Sequence, residues 1–453
     1  MRTGGGRRVA LGTTLVLSLG AAAAIGFRPD AGEAQERPVA FVDVAVIPMV
    51  DAGVVEHQTV VVVGGRITSV GPASAVEPPA GARLIAGQGR FLIPGLVDAH
   101  VHLMEEADLG QFLFHGVTTV RNLMGSEETL RLKRGVAVGS LVGPRIITSG
   151  PLFAGPDTPW RRKVVPVDPV EARAAVRRQR DAGYDLIKIY DGLPADVYEA
   201  VVDEAARVGM RATGHIPEEV RLARVLEAGQ DLEHTDKLVY DVWNHAFDET
   251  RIDSVAARVR EAGVFATPTI ASMQQLARIA SGGFDSLLAR PETNRVGAAT
   301  LSSWCEVSSS LAGHRVRGPG VRYDLWTDFQ MLVIAGLRRA GVPLLAGTDY
   351  PNAVLSAGGG LLVELRALEE IGLTRFEVLS AATTTAGRAI GDPTSGFIAP
   401  GARADLILLG DNPLDDLGAL SANEGVMVAG AWYTPEDLAR LAPGREAPPM
   451  CGP

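Results

Sequence analysis

The sequence contains very few cysteines, only Cys305 and Cys451 among 453 residues. Two cysteines cannot form the disulfide framework of a small secreted domain, and they leave one bridge between this pair as the only available cross-link. Low-complexity segments and short repeats are also missing, which argues against a disordered or repeat protein. The 52 glycines and 28 prolines indicate instead many tight connections between short elements.

An excess of positive charge is absent as well, since the formal net charge is −10. Nucleic-acid binding relies on clustered Lys and Arg that neutralise phosphates, and no such cluster occurs along the chain, so we exclude a nucleic-acid partner. A chain of this length can bury a large core and exceeds one compact domain. This favours a barrel accompanied by a smaller domain.

Residues 1–34 have the layout of a secretory signal peptide. Arginines precede the apolar run Val9–Phe27, and the small residues Gly32 and Ala34 follow it at a suitable cleavage position. Cleavage there predicts export to the periplasm or the extracellular space, with no stable membrane association afterwards. The apolar run is close to membrane-spanning length, so an uncleaved membrane anchor is the alternative.

Short β patterns occur near both ends of the chain, and alternating strand and helix patterns lie between them. The terminal patterns fall within residues 35–90 and 391–440, so we predict one small β-sandwich domain formed by both chain ends. The alternating patterns within residues 91–390 predict parallel strands with crossover helices. Residues 441–453 remain as a C-terminal tail.

The central region supplies enough strand candidates for an α/β fold of the (β/α)₈ TIM-type barrel class. The stretch from Ile270 to about Tyr323 is too long for a simple crossover, and we expect it to form a helical lid or pocket wall. The eight candidates are Gly95–His102, Val117–Arg121, Arg145–Ser149, Leu186–Tyr190, Arg211–His215, Asp231–Thr235, Val264–Thr269 and Pro343–Asp349.

Polar side chains cluster at the carboxyl ends of these candidates, where barrel enzymes place their active sites. His100 and His102 are two residues apart on one strand, so both side chains leave the same face and can converge on one ion. Lys188 lies inside an apolar strand, where a bare ammonium is costly. Carbamylation by carbon dioxide is one resolution, and an ion pair with Asp191 or exposure at the strand end is the other.

His215, His234 and Asp349 each close a predicted strand. Neutral imidazoles suit divalent transition metals, although either histidine alone is also compatible with a buried structural role. Asp349 follows an apolar segment, where an acid serves either as a metal ligand or as a helix N-cap. His115 precedes a strand and therefore lies at the wrong end of a barrel for catalysis.

These residues lie in motifs that resemble those of the amidohydrolase superfamily, over about residues 40–435. Residues 94–102 (PGLVDAHVH) look like the family's first-strand metal motif, and residues 116–121 (GVTTVR) are similar to its second strand. The chain looks most similar to the imidazolonepropionase-like and Xaa-Pro dipeptidase-like branch, which carries a lysine on the fourth strand. Asn122 departs from the aspartate that members often have there, which affects a contact around the ligands rather than the ligand set.

The resemblance implies a centre of two divalent metal ions, with Zn²⁺ expected and Mn²⁺, Co²⁺ or Fe²⁺ compatible with the same ligands. One metal would be held by two histidines and an aspartate, the other by two further histidines, and a carbamylated lysine would bridge them. In this order the implied ligands are His100, His102 and Asp349, then His215 and His234, and finally Lys188.

The implied reaction is hydrolysis of an amide or peptide-like C–N bond by a hydroxide shared between the metals. Asp349 would accept a proton and return it to the leaving amine, and Lys188 would take part as the carbamate. Tyr190 is a candidate substrate contact, whereas Arg161 and Arg162 are better explained as solvated loop residues. Expected substrates are small molecules such as a dipeptide, an Xaa-Pro dipeptide or an N-acyl amino acid.

Two alternatives to this hydrolase remain open. One is a mononuclear deaminase or cyclic amide hydrolase in which Lys188 is only structural. The other is a catalytically silent binding scaffold, against which the complete set of costly polar positions argues. The residues do not decide the substrate, the native metal or the oligomeric state, and a homo-oligomer stays open.

Overall fold

The structure is a computed structural model that describes residues 37–244, 246–312, 322–445 and 450–451. The predicted signal peptide at residues 1–34 lies outside the described residues. Within them, no helix is long and apolar enough to cross a membrane.

The strands form a terminal set from both ends of the chain and a central set that alternates with helices. In chain order they are β1 (Val39–Val46), β2 (Val55–Val63), β3 (Arg66–Pro72), β4 (Arg83–Ala86), β5 (Phe91–Pro94), β6 (Leu96–Val101), β7 (Val117–Asn122), β8 (Arg145–Thr148), β9 (Leu152–Phe153), β10 (Lys163–Val164), β11 (Leu186–Ile189), β12 (Arg211–Gly214), β13 (Asp231–Glu233), β14 (Ala266–Thr267), β15 (Leu406–Leu409), β16 (Asn423–Val428) and β17 (Ala431–Tyr433).

The α-helices lie mainly between the central strands. In chain order they are α1 (Asp108–Phe114), α2 (Glu127–Ala137), α3 (Pro169–Ala182), α4 (Ala195–Arg207), α5 (Leu222–Glu227), α6 (Thr235–Trp243), α7 (Ile252–Ala262), α8 (Ile270–Ala280), α9 (Phe284–Leu288), α10 (Ala298–Ala312), α11 (Tyr323–Ala340), α12 (Gly359–Glu370), α13 (Arg375–Ala381), α14 (Thr384–Ala389) and α15 (Pro435–Leu441).

Strands from both chain ends form one eight-stranded sheet. Its order is β17-β16-β15-β5-β1-β2-β3, with β4 also paired to β1. Buried side chains such as Phe41, Leu92, Leu406 and Met427 give this sheet a hydrophobic core of its own. The β patterns at residues 35–90 and 391–440 therefore do join, and their arrangement as a sandwich domain stays a prediction.

The central strands are parallel, as the alternating patterns predicted. Strands β6, β7 and β8 form one sheet, and β10, β9, β11, β12, β13 and β14 form another in that order. The crossover helices have ordinary start and stop signals. Helix α3, for example, begins after Asp168, whose side chain accepts the Glu171 N–H, and it ends at Gly183 with a φ of 97°. Parallel strands with crossover helices fit a TIM-type α/β fold.

The predicted eighth strand, Pro343–Asp349, is wrong as an extended ladder strand. In the described chain, this segment and the residue after it make only isolated parallel bridges, Ala266 with Leu344 and Val101 with Tyr350. The physical reason is that a side chain replaces part of the ladder, because the Thr348 N–H donates to Asp98 Oδ1 at 3.0 Å. The segment still lies beside β6, with the Asp349 N–H donating to the His100 carbonyl at 2.8 Å.

In the described residues, the long insertion after β14 is helical, as predicted, with α8, α9, a 3₁₀ turn at Pro291–Arg295 and α10, and its role as a lid or pocket wall stays a prediction. Its last helix is bonded to the chain terminus through a disulfide between Cys305 and Cys451, whose Cα atoms are 5.7 Å apart. The single bridge that the sequence left open is therefore formed.

Candidate metal centre

The side chains selected from the sequence converge at the carboxyl ends of the parallel strands. Strands of one parallel sheet end on the same side, so residues that are distant in sequence meet there. Two of the six lie within strands, His100 in β6 and Lys188 in β11, and the others follow a strand or the 343–348 segment, namely His102, His215, His234 and Asp349.

His100, His102 and Asp349 form the tightest group. Asp349 Oδ1 lies 2.9 Å from His102 Nε2 and 3.3 Å from His100 Nε2, and one candidate ligand atom from each of the three lies within 4.8 Å of the others. Gly347 permits this approach, because a Cβ at that position would lie 2.9 Å from the His100 backbone nitrogen. Two imidazoles and one carboxylate at such spacing match a divalent metal site.

His215 and His234 extend the group on its other side. The ring centroids of His234 and His100 are 4.4 Å apart, and those of His234 and His215 are 5.1 Å apart. His234 Nδ1 also lies 4.0 Å from Asp349 Oδ2. The structure therefore brings all four predicted histidines and Asp349 into one cluster.

Lys188 lies buried in β11 with 1% of its surface exposed. Its Nζ has no hydrogen-bond partner among the described residues, so the alternative of an ion pair with Asp191 is not what the structure shows. Burial lowers the pKa of Lys188 to about 8, because desolvation disfavours the ammonium. A buried amine without a hydrogen-bond partner is energetically unfavourable, so the Lys188 Nζ requires a further group to bind.

Three buried nitrogen atoms of the cluster test whether a cation fits there. His100 Nε2, His215 Nε2 and Lys188 Nζ all lack a hydrogen-bond partner in the described structure. Desolvation lowers the pKa of both histidines to about 4, so each imidazole is neutral and offers a lone pair at neutral pH. Buried polar atoms are rarely left unsatisfied, and neutral imidazoles beside a carboxylate fit a divalent metal.

Asp349 supplies the negative charge of this cluster. Burial alone would raise the pKa of Asp349, but the surrounding histidines, with His102 Nε2 2.9 Å from Asp349 Oδ1, hold that pKa well below its usual range. Asp349 is not a helix N-cap, since the following 3₁₀ turn at Asn352–Val354 begins after Pro351. Asp349 itself has a φ of 60°, a strained conformation for a non-glycine residue of the kind that concentrates at functional sites.

Each of three histidines has its other ring nitrogen held by a neighbour. His100 Nδ1 donates to Glu233 Oε2 at 2.7 Å, and Arg121 Nη2 donates to Glu233 Oε1 at 2.6 Å. This buried ion pair fixes the His100 ring so that Nε2 faces the cluster. Sequence reasoning placed Glu233 and Arg121 in motifs without assigning them a role, because the contacts depend on how β6, β7 and β13 are arranged around the site.

The other two histidines are held by different groups. His215 Nδ1 donates to Asp191 Oδ1 at 2.8 Å, and Lys237 Nζ donates to the second oxygen of Asp191, also at 2.8 Å. His234 Nδ1 lies 2.9 Å from Thr269 Oγ1. Each contact selects a ring orientation for its histidine. None of the three direct partners, Glu233, Asp191 and Thr269, was identified as functional from the sequence.

Asn122, the departure from the family motif, supports the loop that follows His102. Its Oδ1 accepts the Leu103 N–H at 2.8 Å, and its Nδ2 donates to Thr148 Oγ1 at 3.0 Å. The amide therefore accepts from one neighbour and donates to the other, whereas a carboxylate in the same place could only accept. This is consistent with an altered contact around an intact ligand set.

Tyr190 lies directly beside the cluster, with its ring centroid 4.1 Å from that of His215. Burial raises the pKa of Tyr190. This position leaves Tyr190 within reach of a bound molecule, so the prediction of a substrate contact stands as a prediction. Arg161 is exposed and Arg162 half-buried, in keeping with their interpretation as loop residues.

A buried cluster of neutral imidazoles and one carboxylate at the carboxyl ends of parallel strands defines the class of metal-dependent hydrolases with a TIM-type fold. Residues 91–433 match the model of the Amidohydrolase family. The chain belongs to that family.

Relatives and solved structures agree with this membership. The chain is 26% identical over 405 residues to an uncharacterized protein of Mycobacterium tuberculosis, covering 83% of this chain and 91% of the relative. It is 26% identical over 379 residues to the imidazolonepropionase of Paracidovorax citrulli, covering 77% and 83% of the two chains. A Bifidobacterium longum structure provisionally classed as a prolidase is 25% identical, with a TM-score of 0.65 and coverage of 89% and 98%.

These likenesses confirm the branch that the sequence motifs indicated, with imidazolonepropionases among the relatives and prolidase-type folds among the solved structures. They also confirm that the protein is a hydrolase acting on carbon–nitrogen bonds.

Proposed function

We propose that the protein is an exported hydrolase that holds two divalent metal ions and cleaves an amide or peptide-like C–N bond of a small molecule, such as a dipeptide, an Xaa-Pro dipeptide or an N-acyl amino acid. The single observation that carries the proposal is the set of buried, unpartnered nitrogens of His100, His215 and Lys188. Three such atoms around one carboxylate are costly unless a cationic group satisfies them.

The side chains of the cluster fall into two sets, one for each ion. His100, His102 and Asp349 would hold one ion, and His215 and His234 would hold the other. When bound, divalent metals of this kind lower the pKa of water to about 7 and polarise a scissile carbonyl. Zn²⁺ suits these ligands, as do Mn²⁺, Co²⁺ and Fe²⁺.

Lys188 would complete the pair as a carbamate. Its neutral amine adds to carbon dioxide, forming one N–C bond and releasing one proton, and the product is an anionic carboxylate where an unpartnered amine stood. The assignment is supported by the burial of Lys188 and by the lack of a hydrogen-bond partner for its Nζ among the described residues. Arg121 and Glu233, which neutralise each other nearby, leave no partner for the free amine.

Asp349 would move the proton during hydrolysis. Its carboxylate points into the cluster and is ionised, so it can accept a proton from the attacking water and return it to the leaving amine nitrogen. Tyr190, beside His215, would contact the substrate through its hydroxyl group. Neither the proton transfer by Asp349 nor the substrate contact of Tyr190 requires a further charged residue in the site.

The proposed architecture is a closed barrel of eight strand positions with a small sandwich domain made from both chain ends. Three isolated parallel bridges support closure, since they connect β8 with β11, β14 with Leu344, and β6 with Tyr350. The Cys305–Cys451 disulfide supports export, because such bonds persist mainly in oxidising compartments.

A centre with one metal is the second candidate. It is favoured by the fact that, within the described residues, only His100, His102 and Asp349 meet the spacing of a three-ligand group. In that case the enzyme would act as a deaminase or cyclic amide hydrolase, and Lys188 would have a structural role.

Metal content per chain separates the two candidates. The protein starting at Gln35 is loaded with Zn²⁺ and ¹³C-bicarbonate, and plasma mass spectrometry and ¹³C NMR are recorded for wild type, Lys188→Ala and the control Lys133→Ala, whose lysine pairs with Asp185 away from the site. We expect about two metals and a carbamate signal in wild type and the control, and a loss of both features in Lys188→Ala.

One metal per chain that is unaffected by Lys188→Ala would favour the mononuclear candidate. A protein that binds no metal under any loading condition would contradict both and favour a binding scaffold. Dipeptides and N-acyl amino acids are then screened with the loaded wild type, because hydrolysis of either class separates an enzyme from a scaffold.

A further inference from the structure

Helix α10 is bonded to the loop that carries Asp349. Thr300 Oγ1 lies 2.7 Å from Tyr350 Oη, and the Trp304 indole N–H donates to the Pro351 carbonyl. Thr300 and Trp304 are both buried, with 0% and 1% of their surfaces exposed. The two residues that follow Asp349 are therefore held by one face of this helix.

The same contact reaches the loop after His102. Tyr350 Oη donates to Asp108 Oδ1 at 2.8 Å, and Asp108 Oδ2 accepts the Met104 N–H at 2.8 Å. Tyr350 thus connects α10 to two loops, the one that follows His102 and the one that follows Asp349. A shift of the helix cannot leave these two loops unchanged, because the contacts are buried and direct.

Residues 442–445 contact the 3₁₀ turn at Pro291–Arg295 that precedes this helix, and Cys451 is bonded to the helix itself. The Arg445 N–H donates to the Asn294 carbonyl at 2.9 Å, and the Arg295 guanidinium donates to the Ala442 carbonyl. The disulfide then joins Cys451 to Cys305, the residue after Trp304. One covalent bond therefore connects the end of the chain to the helix turn that contacts Pro351.

We propose that the Cys305–Cys451 disulfide is a redox-sensitive clamp that positions Asp349 by holding helix α10 against the loop after it. The inference rests on the metal site proposed above, but it concerns residues outside that site. The disulfide can be reached, since Cys451 is exposed and Cys305 half-buried. Both cysteines are positioning residues, because they act on Asp349 only through Trp304, Thr300 and Tyr350.

The reaction that opens the clamp is a two-electron reduction by a dithiol. The S–S bond breaks, Cys305 and Cys451 each gain one hydrogen as thiols, and the dithiol closes to its own disulfide. Oxidation by a disulfide of the same class reverses each change. The clamp would therefore close after export and open under reducing conditions.

Hydrogen exchange of the Asp349 loop tests the inference without any substrate. The reporters are the amide of Tyr350, bonded to Thr348 Oγ1, and that of Asn352, bonded to the Asp349 carbonyl. Metal-free wild type is compared with and without a dithiol, and we expect at least about tenfold faster exchange at both amides after reduction. Val61, paired within the terminal sheet, is the internal control and should not change.

Two variants separate the clamp from general damage. Cys305→Ser/Cys451→Ser should show the fast exchange with or without a dithiol. Thr300→Val keeps the disulfide but removes the contact with Tyr350, so it should speed exchange at Tyr350 under oxidising conditions. The affinity for Zn²⁺ alone is then compared between wild type and the double variant, without reductant because dithiols bind zinc, and a loss of about tenfold is expected.

Unchanged exchange at Tyr350 and Asn352 in the reduced protein and in the double variant would overturn the inference. Equal Zn²⁺ affinity of wild type and the double variant would overturn its link to Asp349. Failure of the proposed function is a separate outcome, because both forms would then bind fewer than two Zn²⁺ per chain while the loop amides still respond to reduction.

Discussion

Glu233 Oε2 lies 2.7 Å from His100 Nδ1, and both side chains are completely buried. Burial alone would raise the pKa of Glu233, but Arg121 and His100 hold it well below its usual range. Glu233 is therefore a carboxylate that accepts from His100, and it leaves His100 Nε2 as a free lone pair toward the cluster. A contact of this kind sets both the tautomer and the direction of a metal-binding imidazole.

We expect Glu233→Gln to weaken Zn²⁺ binding by about 10- to 100-fold. The amide can still contact His100, but it no longer carries the charge that balances Arg121 or selects the His100 tautomer. Competition with a fluorescent chelator measures the change. Glu424→Gln is the matched control, since Glu424 pairs with Arg90 at the protein surface, and an equal loss of affinity in both variants would contradict this role of Glu233.

Asp349→Asn should retain metal and lose turnover. The amide keeps the shape of the side chain and one oxygen as a ligand, but it cannot accept a proton from water at neutral pH, so a loss of about 10²- to 10⁴-fold in kcat is expected. Metal content and the hydrolysis rate are measured on the same sample. Asp253→Asn, at an exposed pair with Arg339, controls for the substitution, and substantial turnover by Asp349→Asn would exclude the proton-transfer role.

The candidate ligand positions were recognisable in the sequence because they lie within or directly after short apolar segments. His100 and His102 close an apolar run, and the spacing alone places them on one face. The supporting contacts were not predictable, since Glu233, Asp191 and Thr269 meet their histidines across different strands. Such pairs depend on the register and curvature of the sheet, which no local pattern encodes.

The segment Pro343–Asp349 shows a second limit of prediction from local sequence patterns. Its apolar residues and terminal acid predicted a strand, and it does lie beside β6. However, the buried Asp98 carboxylate accepts both the Thr348 N–H and the Thr348 hydroxyl, which replaces a backbone ladder by side-chain contacts. Local patterns indicate where a segment lies but not which polar group satisfies its backbone.

Tyr190→Phe should raise KM for a carboxylate-bearing substrate and leave kcat nearly unchanged. The phenyl ring keeps the contact with His215, whereas the hydroxyl that would contact the substrate is lost, at a cost of about 1 kcal/mol or roughly fivefold in KM. Steady-state kinetics on a dipeptide found by the screen measures the effect. Tyr433→Phe in the terminal sheet is the control, and a fall in kcat with constant KM would place Tyr190 in the chemistry instead.

Glu364 gives a prediction for the pH dependence of stability. It is buried, and its carboxyl oxygens accept the N–H groups of Ile270 and Ala271 at 3.2 and 2.7 Å, at the start of α8. Burial raises its pKa from 4.5 to about 8. Between these two values the unfolded chain releases the proton and the folded protein keeps it, so the contribution of Glu364 to stability falls as pH rises from about 4.5 to about 8 and is constant above that range.

The difference in unfolding free energy between wild type and Glu364→Gln isolates this group, because other titrations cancel. We expect the advantage of wild type to decline with rising pH by at most about 1.4 kcal/mol per pH unit, measured by urea denaturation of the metal-free protein at several pH values. Glu377→Gln, on the half-exposed pair with Arg338, provides a comparison whose carboxylate has a lowered pKa and should show no such decline. A difference for Glu364→Gln that is constant from pH 5 to pH 8 would mean that Glu364 is ionised in the folded protein, because only a retained proton produces a negative slope.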